Sequence, residues 1–168
     1  MAEVQILKQN GYNFLWIEGY LWMWDIPVEV EIQNKIAEQA FGDVLVAGYG
    51  LGIVQESLIK NLKVKSLLTV ESIPEVIEEC KKVYEKINGN VKIDNFYNFE
   101  TNKKYDCIIG DIWEDIIPNS LNEYVKFKRK AQSLLKPDGK ILAWGKDFFE
   151  YLLHSKNELN VNDIKEMD

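Results

Sequence analysis

Asp43-Val44-Leu45-Val46-Ala47-Gly48-Tyr49-Gly50-Leu51-Gly52 is the stretch whose reading decides the fold. Val44 to Ala47 is a short apolar run of the length of a buried strand, and it empties at once into glycines at positions 48, 50 and 52. Glycine suits a turn of positive φ and a backbone that a ligand approaches closely. Ile53 to Leu62 follows with helical composition, so free N–H groups and the positive end of a helix dipole face the same crevice. The expectation is a strand that ends in a ligand loop.

Working outward, Val64 to Val70 reads as a second strand ending at Glu71. Ser72-Ile73-Pro74-Glu75 then reads as a capping box that opens a helix lined by Val76, Ile77, Cys80, Val83, Tyr84 and Ile87. Val91 to Ile93 is a short third strand leading to Asp94-Asn95-Phe96, and Tyr105 to Gly110 is a fourth, ending at Asp111. A loop carrying Trp113, Glu114 and Asp115 precedes a second capping box, Ser120 with Glu123, and a long helix. Lys136-Pro137-Asp138-Gly139 reads as a tight turn delivering a fifth strand, Lys140 to Trp144. Upstream of the loop, Val28 to Phe41 is helix-like and is ended by Gly42. Residues 1–26 are patterned for sheet, with turns at Asn10-Gly11 and Glu18-Gly19 between three strands.

Strands and helices alternate, and the strands are near-continuous apolar runs of the kind buried on both faces. The predicted architecture is α/β: a doubly wound, Rossmann-like core at 27–145 with a mostly parallel sheet, an antiparallel β meander at 1–26, and a short helix and frayed tail at 146–168. The ligand of such a sheet belongs outside the carboxyl ends of its strands. At 168 residues this is one domain. The meander holds Trp16, Trp22 and Trp24; packing onto the core is their plain role, with a pocket wall or a homodimer contact as the alternatives.

A net charge of −7 argues against nucleic acid and anionic lipid as partners. Cys80 and Cys107 are the only cysteines and His154 the only histidine, a set too sparse for a metal knuckle, a disulfide framework or a Cys/His nucleophile. No apolar run reaches transmembrane length and no leader pattern opens the chain, so a cytoplasmic location is expected.

Glu71 lies 19 positions after Gly52 and ends the second strand, where a carboxylate accepts from both hydroxyls of a ribose. A dinucleotide loop would carry its third glycine at position 53, where this chain has Ile53. That spacing disfavours a nicotinamide-dependent oxidoreductase. G-Y-G-L-G followed by T-V-E, I-D-N-F, Y-D-C-I-I-G-D and L-L-K-P-D-G-K-I-L resembles the class I S-adenosylmethionine-dependent methyltransferases, over Phe41 to Trp144. Within them the pattern is similar to the branches containing spermidine synthases and guanidinoacetate-type methyltransferases.

The resemblance implies S-adenosylmethionine as cofactor and S-adenosylhomocysteine as product. It implies that Gly48, Tyr49, Gly50 and Gly52 contact the amino-acid end of the cofactor, Glu71 its ribose, and Asn95 with Phe96 its adenine. Asp111 stands where these families address the cofactor amino group or a substrate amine, and Asp111 with Glu114 are the catalytic candidates. The chain departs from the family in having Val46 and Asn95 at positions that are often acidic, and the residues beyond Gly145 are too few for a helix plus the terminal hairpin of the complete fold. The expected function is methyl transfer to a small molecule, an amine being one candidate. The alternatives are a cofactor-binding domain without turnover, and aminopropyl transfer from decarboxylated S-adenosylmethionine, whose usual D-x-x-D-P loop is here Asp111-Ile112-Trp113-Glu114-Asp115 without the proline.

Overall fold

In the computed structural model, residues 1–113 and 116–155 are described. The chain opens with an antiparallel sheet in the order β1-β2-β3, made of β1 (Val4–Gln9), β2 (Tyr12–Ile17) and β3 (Tyr20–Trp24). Both turns have positive φ at both central residues, 53° and 84° at Asn10-Gly11 and 50° and 78° at Glu18-Gly19. That is the signature of the tight turn whose twist matches the flanking strands. Glu18 lacks the freedom of glycine and is held there by Glu3, whose N–H donates to the Glu18 carboxylate at 2.8 Å and whose carbonyl accepts from Glu18 N at 2.8 Å.

The core follows as α1 (Pro27–Glu38), β4 (Gly42–Ala47), α2 (Ile53–Lys60), β5 (Val64–Glu71), α3 (Pro74–Tyr84), β6 (Asn90–Ile93), β7 (Tyr105–Gly110), α4 (Leu121–Ser133) and β8 (Leu135–Ala143). A further helix, α5, covers 146–155. The five strands are all parallel in the order β6-β5-β4-β7-β8. The chain therefore builds outward from β4 on one side, then crosses back to start β7 on the other. Neighbouring strands β4 and β7 stay paired through Ala47 and Gly110, but the chain leaves β4 toward β5 and β7 toward β8, on opposite sides, which places the topological switch beside the glycine loop.

Alternation along the strands divides the core. Leu45, Ala47 and Ile108 face an aromatic layer of Phe96, Phe99, Tyr124, Phe127 and Phe149, whereas Val44, Val46, Cys107 and Ile109 face Ile36, Ala37 and Ala40 around α1 and Val54 and Leu58 of α2. The first sheet is joined to this body by its own apolar face, with Val4 and Leu15 packed among Tyr49, Leu51, Ile53, Val76 and Ile77. Leu15 is fully buried, which contributes about 2 kcal/mol toward docking the sheet over the loop. Among the described residues no helix is long and apolar enough to cross a membrane.

Several local expectations are corrected. Neither capping box forms. The N-cap of α3 is Ile73, without a side-chain bond, because Pro74 takes the first turn and the Glu71 carboxylate accepts from Ile73 N at 3.0 Å. Ser120 ends a 3-10 turn, Pro118–Ser120, at φ −87° and ψ 0°, a helical geometry rather than the extended one a capping hydroxyl requires. α3 stops at Tyr84 instead of reaching Ile87, with Glu85 at φ 63°. Lys136 to Gly139 lies inside β8: Tyr105 pairs with Leu135 and Cys107 with Lys140, so the extra residues are absorbed as a bulge. Trp113, which the sequence places in a loop, is a core residue. It is 3% exposed, edge-on to Tyr124, Phe127 and Phe149, and its Nε1 donates to the Trp144 carbonyl at 3.1 Å.

Candidate functional site

The loop after β4 is held by the protein on both sides. Gly48 N donates to Val70 O at 2.9 Å, Cys80 Sγ donates to Gly50 O at 3.2 Å, and Leu51 N donates to Met23 Sδ of β3 at 3.4 Å. Gly48, Gly50 and Gly52 have φ of 93°, 58° and 74°. The positive φ agrees with the sequence reading, but the space denied to a side chain is occupied by the chain itself. A Cβ at Gly48 would lie 2.9 Å from Ile112 Cγ2, one at Gly50 2.5 Å from Met23 Sδ, and one at Gly52 2.5 Å from the Tyr49 hydroxyl. Glycine here lets neighbouring side chains lock the loop, whose N–H groups are largely taken up within the protein: Gly48 N by Val70 O, Tyr49 N by Glu71, Leu51 N by Met23 Sδ and Gly52 N by Tyr49 O.

A cavity of about 570 Å³ opens above this loop, within the range of small-molecule sites. Gly48, Gly50, Glu71, Asn95, Phe96 and Asp111 all stand on its wall, together with Trp22 of the first sheet and Tyr97. Parallel strands explain the convergence, because β4, β5, β6 and β7 all end at this level. Glu71 is 7% exposed; its Oε1 accepts from Tyr49 N at 2.9 Å and its Oε2 from Ile73 N at 3.0 Å. Burial pushes its carboxyl above the ordinary range, and those N–H groups pull it back in part. Asn95 Oδ1 accepts from Tyr97 N at 2.9 Å, which caps a 3-10 turn and seats the Phe96 ring against Phe127.

Two candidates sit elsewhere and one is not described. Gly52 is the N-cap of α2 and is not on the cavity wall. Tyr49 gives its main-chain N–H to Glu71, while its ring lies beneath the loop and its hydroxyl accepts from Asn88 N at 3.0 Å. Glu114 lies outside the described residues.

A second cavity of about 310 Å³ shares Trp22, Gly48, Gly50 and Asp111 with the first. Its wall brings in two residues that the sequence reading missed, Glu29 and Gln33, one turn apart on α1. Gln33 Nε2 donates to Glu29 Oε1 at 3.0 Å and to Asp111 Oδ2 at 3.1 Å, so one amide bridges two carboxylates. Asp111 is pushed up to about 7, by burial first and by the Glu29 charge as well, with the Gln33 bond opposing them. Glu29 is also raised, by burial. The sequence did carry a signal: Glu29 and Gln33 fall on the same helical face as Ile36, Ala37 and Ala40. A polar pair on an otherwise apolar face needs a partner.

Chemically, the arrangement offers a rigid glycine loop, a buried carboxylate at a strand end, an aromatic slot, and a second carboxylate whose burial raises it toward neutrality. No protein-family model matches the sequence, and no curated protein matches it. Solved structures do match. Spermidine synthase from Thermotoga maritima superposes with a TM-score of 0.64 at 18% identity, over 85% of this chain and 53% of its own. An S-adenosylmethionine-dependent methyltransferase from Clostridium acetobutylicum gives 0.51 at 18% identity, over 71% and 50%. DhpI in complex with SAH gives 0.51 at 17% identity, over 68% and 53%. The fold is thus that of the class I S-adenosylmethionine-dependent methyltransferases and spermidine synthases, and the chain spans about half the length of these structures.

Proposed function

We propose that this chain binds S-adenosylmethionine in the larger cavity and transfers its methyl group to a small molecule, with S-adenosylhomocysteine as product. The observation that supports this reading is the convergence of the glycine loop, Glu71, Asn95-Phe96 and Asp111 on one cavity of about 570 Å³. The residues fit the group. Glu71, whose Oε1 and Oε2 accept from Tyr49 N and Ile73 N, stands on the cavity wall at a strand end, where a carboxylate meets ribose hydroxyls. Phe96 and Tyr97 supply apolar walls for a purine.

When bound, the cofactor supplies an electrophilic methyl carbon. The chain's part is alignment and exclusion of water, since displacement at carbon requires the two reactants in line and little else. Asp111 lies where the two cavities meet, so it orients the incoming nucleophile and takes up its proton. Calorimetry with S-adenosylmethionine, S-adenosylhomocysteine and decarboxylated S-adenosylmethionine tests the binding half. Absence of heat with all of them at millimolar concentration sinks it. Mass spectrometry for S-adenosylhomocysteine, across a panel of amines, acids and thiols, tests the transfer half; tight binding without transfer points to a binding domain.

Aminopropyl transfer is the second reading. It is favoured by the spermidine synthase match, which extends over 85% of the chain with a TM-score of 0.64, against 71% and 0.51 for the methyltransferase. Tighter binding of the decarboxylated cofactor than of S-adenosylmethionine decides for it.

A further inference from the structure

Two sulfur atoms hold one dipeptide of the glycine loop. Cys80 Sγ donates to the Gly50 carbonyl at 3.2 Å, and Leu51 N donates to Met23 Sδ at 3.4 Å. The methionine is pressed against the loop, its sulfur 2.5 Å from where a Cβ of Gly50 would lie. Strand pairing puts it there, because Met23 of β3 lies opposite Leu15 of β2, and residues directly opposed in an antiparallel pair share a face. That face packs over Tyr49 and Leu51.

The two sulfurs differ in the chemistry open to them. Cys80 is fully buried, and burial pushes its thiol up to about 12, away from the thiolate form that oxidants attack. A thioether needs no deprotonation to react with a peroxide, and its product is the sulfoxide. Met23 is half-buried and stands beside Gly50 on the wall of the second cavity, which gives a small oxidant a route to it.

We infer that Met23 is an oxidation site: a hydroperoxide converts it to the sulfoxide, which releases the glycine loop and abolishes tight cofactor binding, the last step resting on the cofactor reading above. The sulfur lone pair attacks one oxygen of hydrogen peroxide, and an S–O bond forms as the O–O bond breaks. The proton of the transferred hydroxyl passes to the departing oxygen, which leaves as water. Sulfur gives up two electrons and the peroxide takes them. The product is larger and polar where an apolar side chain was packed. A spacing of 3.4 Å between Leu51 N and sulfur has no room for an intervening oxygen, since an N–H···O bond alone spans about 3 Å. Displacement of Gly50 and Leu51 pulls on Tyr49, whose N–H holds Glu71 Oε1 at 2.9 Å. Gly50 itself lines both cavities, so an event at the smaller one is felt in the larger.

The test applies hydrogen peroxide in steps to the ligand-free protein. Each sample is read by peptide mass mapping of the three methionines, by NMR exchange of the Leu51 amide, and by calorimetry with S-adenosylhomocysteine. Met1 is fully exposed and serves as the internal control, while Met167 lies outside the described residues. The expected result is one added oxygen on Met23, Leu51 exchange at least about tenfold faster, and S-adenosylhomocysteine affinity at least about tenfold lower. Both changes should track the sulfoxide of Met23 rather than that of Met1 or Met167, with the circular dichroism of the fold retained, and both should be absent in peroxide-treated Met23→Leu. Met23 staying reduced while Met1 is fully oxidised overturns the inference. So does unchanged Leu51 exchange in the Met23 sulfoxide, the same peroxide response in Met23→Leu, or loss of the whole fold on oxidation. If Met23→Leu does not fold, the stepwise comparison of the three sulfoxides in the wild type decides. Failure of S-adenosylhomocysteine to bind the untreated wild type, with Leu51 exchange still responding to Met23 oxidation, supports the oxidation site and identifies the cofactor reading as the one that failed.

Discussion

Asp111→Asn should stabilise the protein while removing its chemistry, and the stabilisation should depend on pH. Burial and the neighbouring Glu29 charge raise the Asp111 carboxyl from 3.8 to about 7. A folded state that binds a proton more tightly than the unfolded chain is favoured at low pH, so the cost of the charge is absent below the unfolded value. That cost grows as pH rises and is complete above the folded value. Asparagine carries no charge at any pH and keeps an oxygen for the Gln33 Nε2 bond, which spans 3.1 Å in the wild type. At about 1.4 kcal/mol per pH unit, the variant should exceed wild type by about 2 kcal/mol near pH 5 and by about 4 kcal/mol near pH 8, with no difference below about pH 3.5. The assay is urea unfolding of both proteins across pH 4 to 8 without ligand. Stability curves that run parallel over that range would refute the reasoning, since they would mean that Asp111 titrates alike in the folded and unfolded chains.

Gly50→Ala adds a Cβ 2.5 Å from Met23 Sδ at φ 58°, so the loop must yield; a thermal shift should show a loss of about 1 to 3 kcal/mol, and calorimetry a larger loss of S-adenosylhomocysteine affinity than of stability. Glu71→Gln turns an amide N–H toward either Tyr49 N or Ile73 N, which both donate to the carboxylate at 2.9 and 3.0 Å; urea unfolding should register a loss of about 1 to 3 kcal/mol, accompanied by nucleoside binding at least about tenfold weaker. Gly110→Ala drives a Cβ to 2.5 Å from the Phe127 ring, which stacks on Phe96 of the cavity wall; it should cost about 1 to 3 kcal/mol in urea unfolding and, by shifting Phe96, weaken S-adenosylhomocysteine binding in calorimetry.

The fold was legible where one residue's chemistry decides a local geometry. Asn10-Gly11 specifies a turn of positive φ, and the wholly apolar Val44 to Ala47 a strand covered on both faces. It was less legible where two local signals compete. Ser72 and Glu75 have the spacing of a capping box, yet Glu71 reaches Ile73 N first, because its carboxylate is already fixed between Tyr49 N and the helix start. At Lys136 to Gly139 a proline and a glycine suggested a turn, and pairing with β7 stretched those residues into a bulged strand instead. Long-range pairing outweighs a two-residue turn preference.

The site divides along the same line. Glycine loop, Glu71, Asn95-Phe96 and Asp111 could be picked out because each follows a strand, and parallel strands bring their ends together whatever the side chains do. Glu29 and Gln33 precede the first core strand and sit on a helix, where polar residues are ordinarily read as the solvated face. Only the crossing of α1 over the ends of β4 and β7 turns that face inward, toward Asp111. Helical phase relative to Ile36 and Ala37 already excluded solvent for both positions: residues 29, 33, 36, 37 and 40 lie within one stripe. A buried Glu and Gln in such a stripe require hydrogen-bonding partners of their own, and Glu29 brings a charge that no basic residue offsets among the described residues of the cavity wall. The chamber's acidity is therefore a property of α1 as much as of the strand ends.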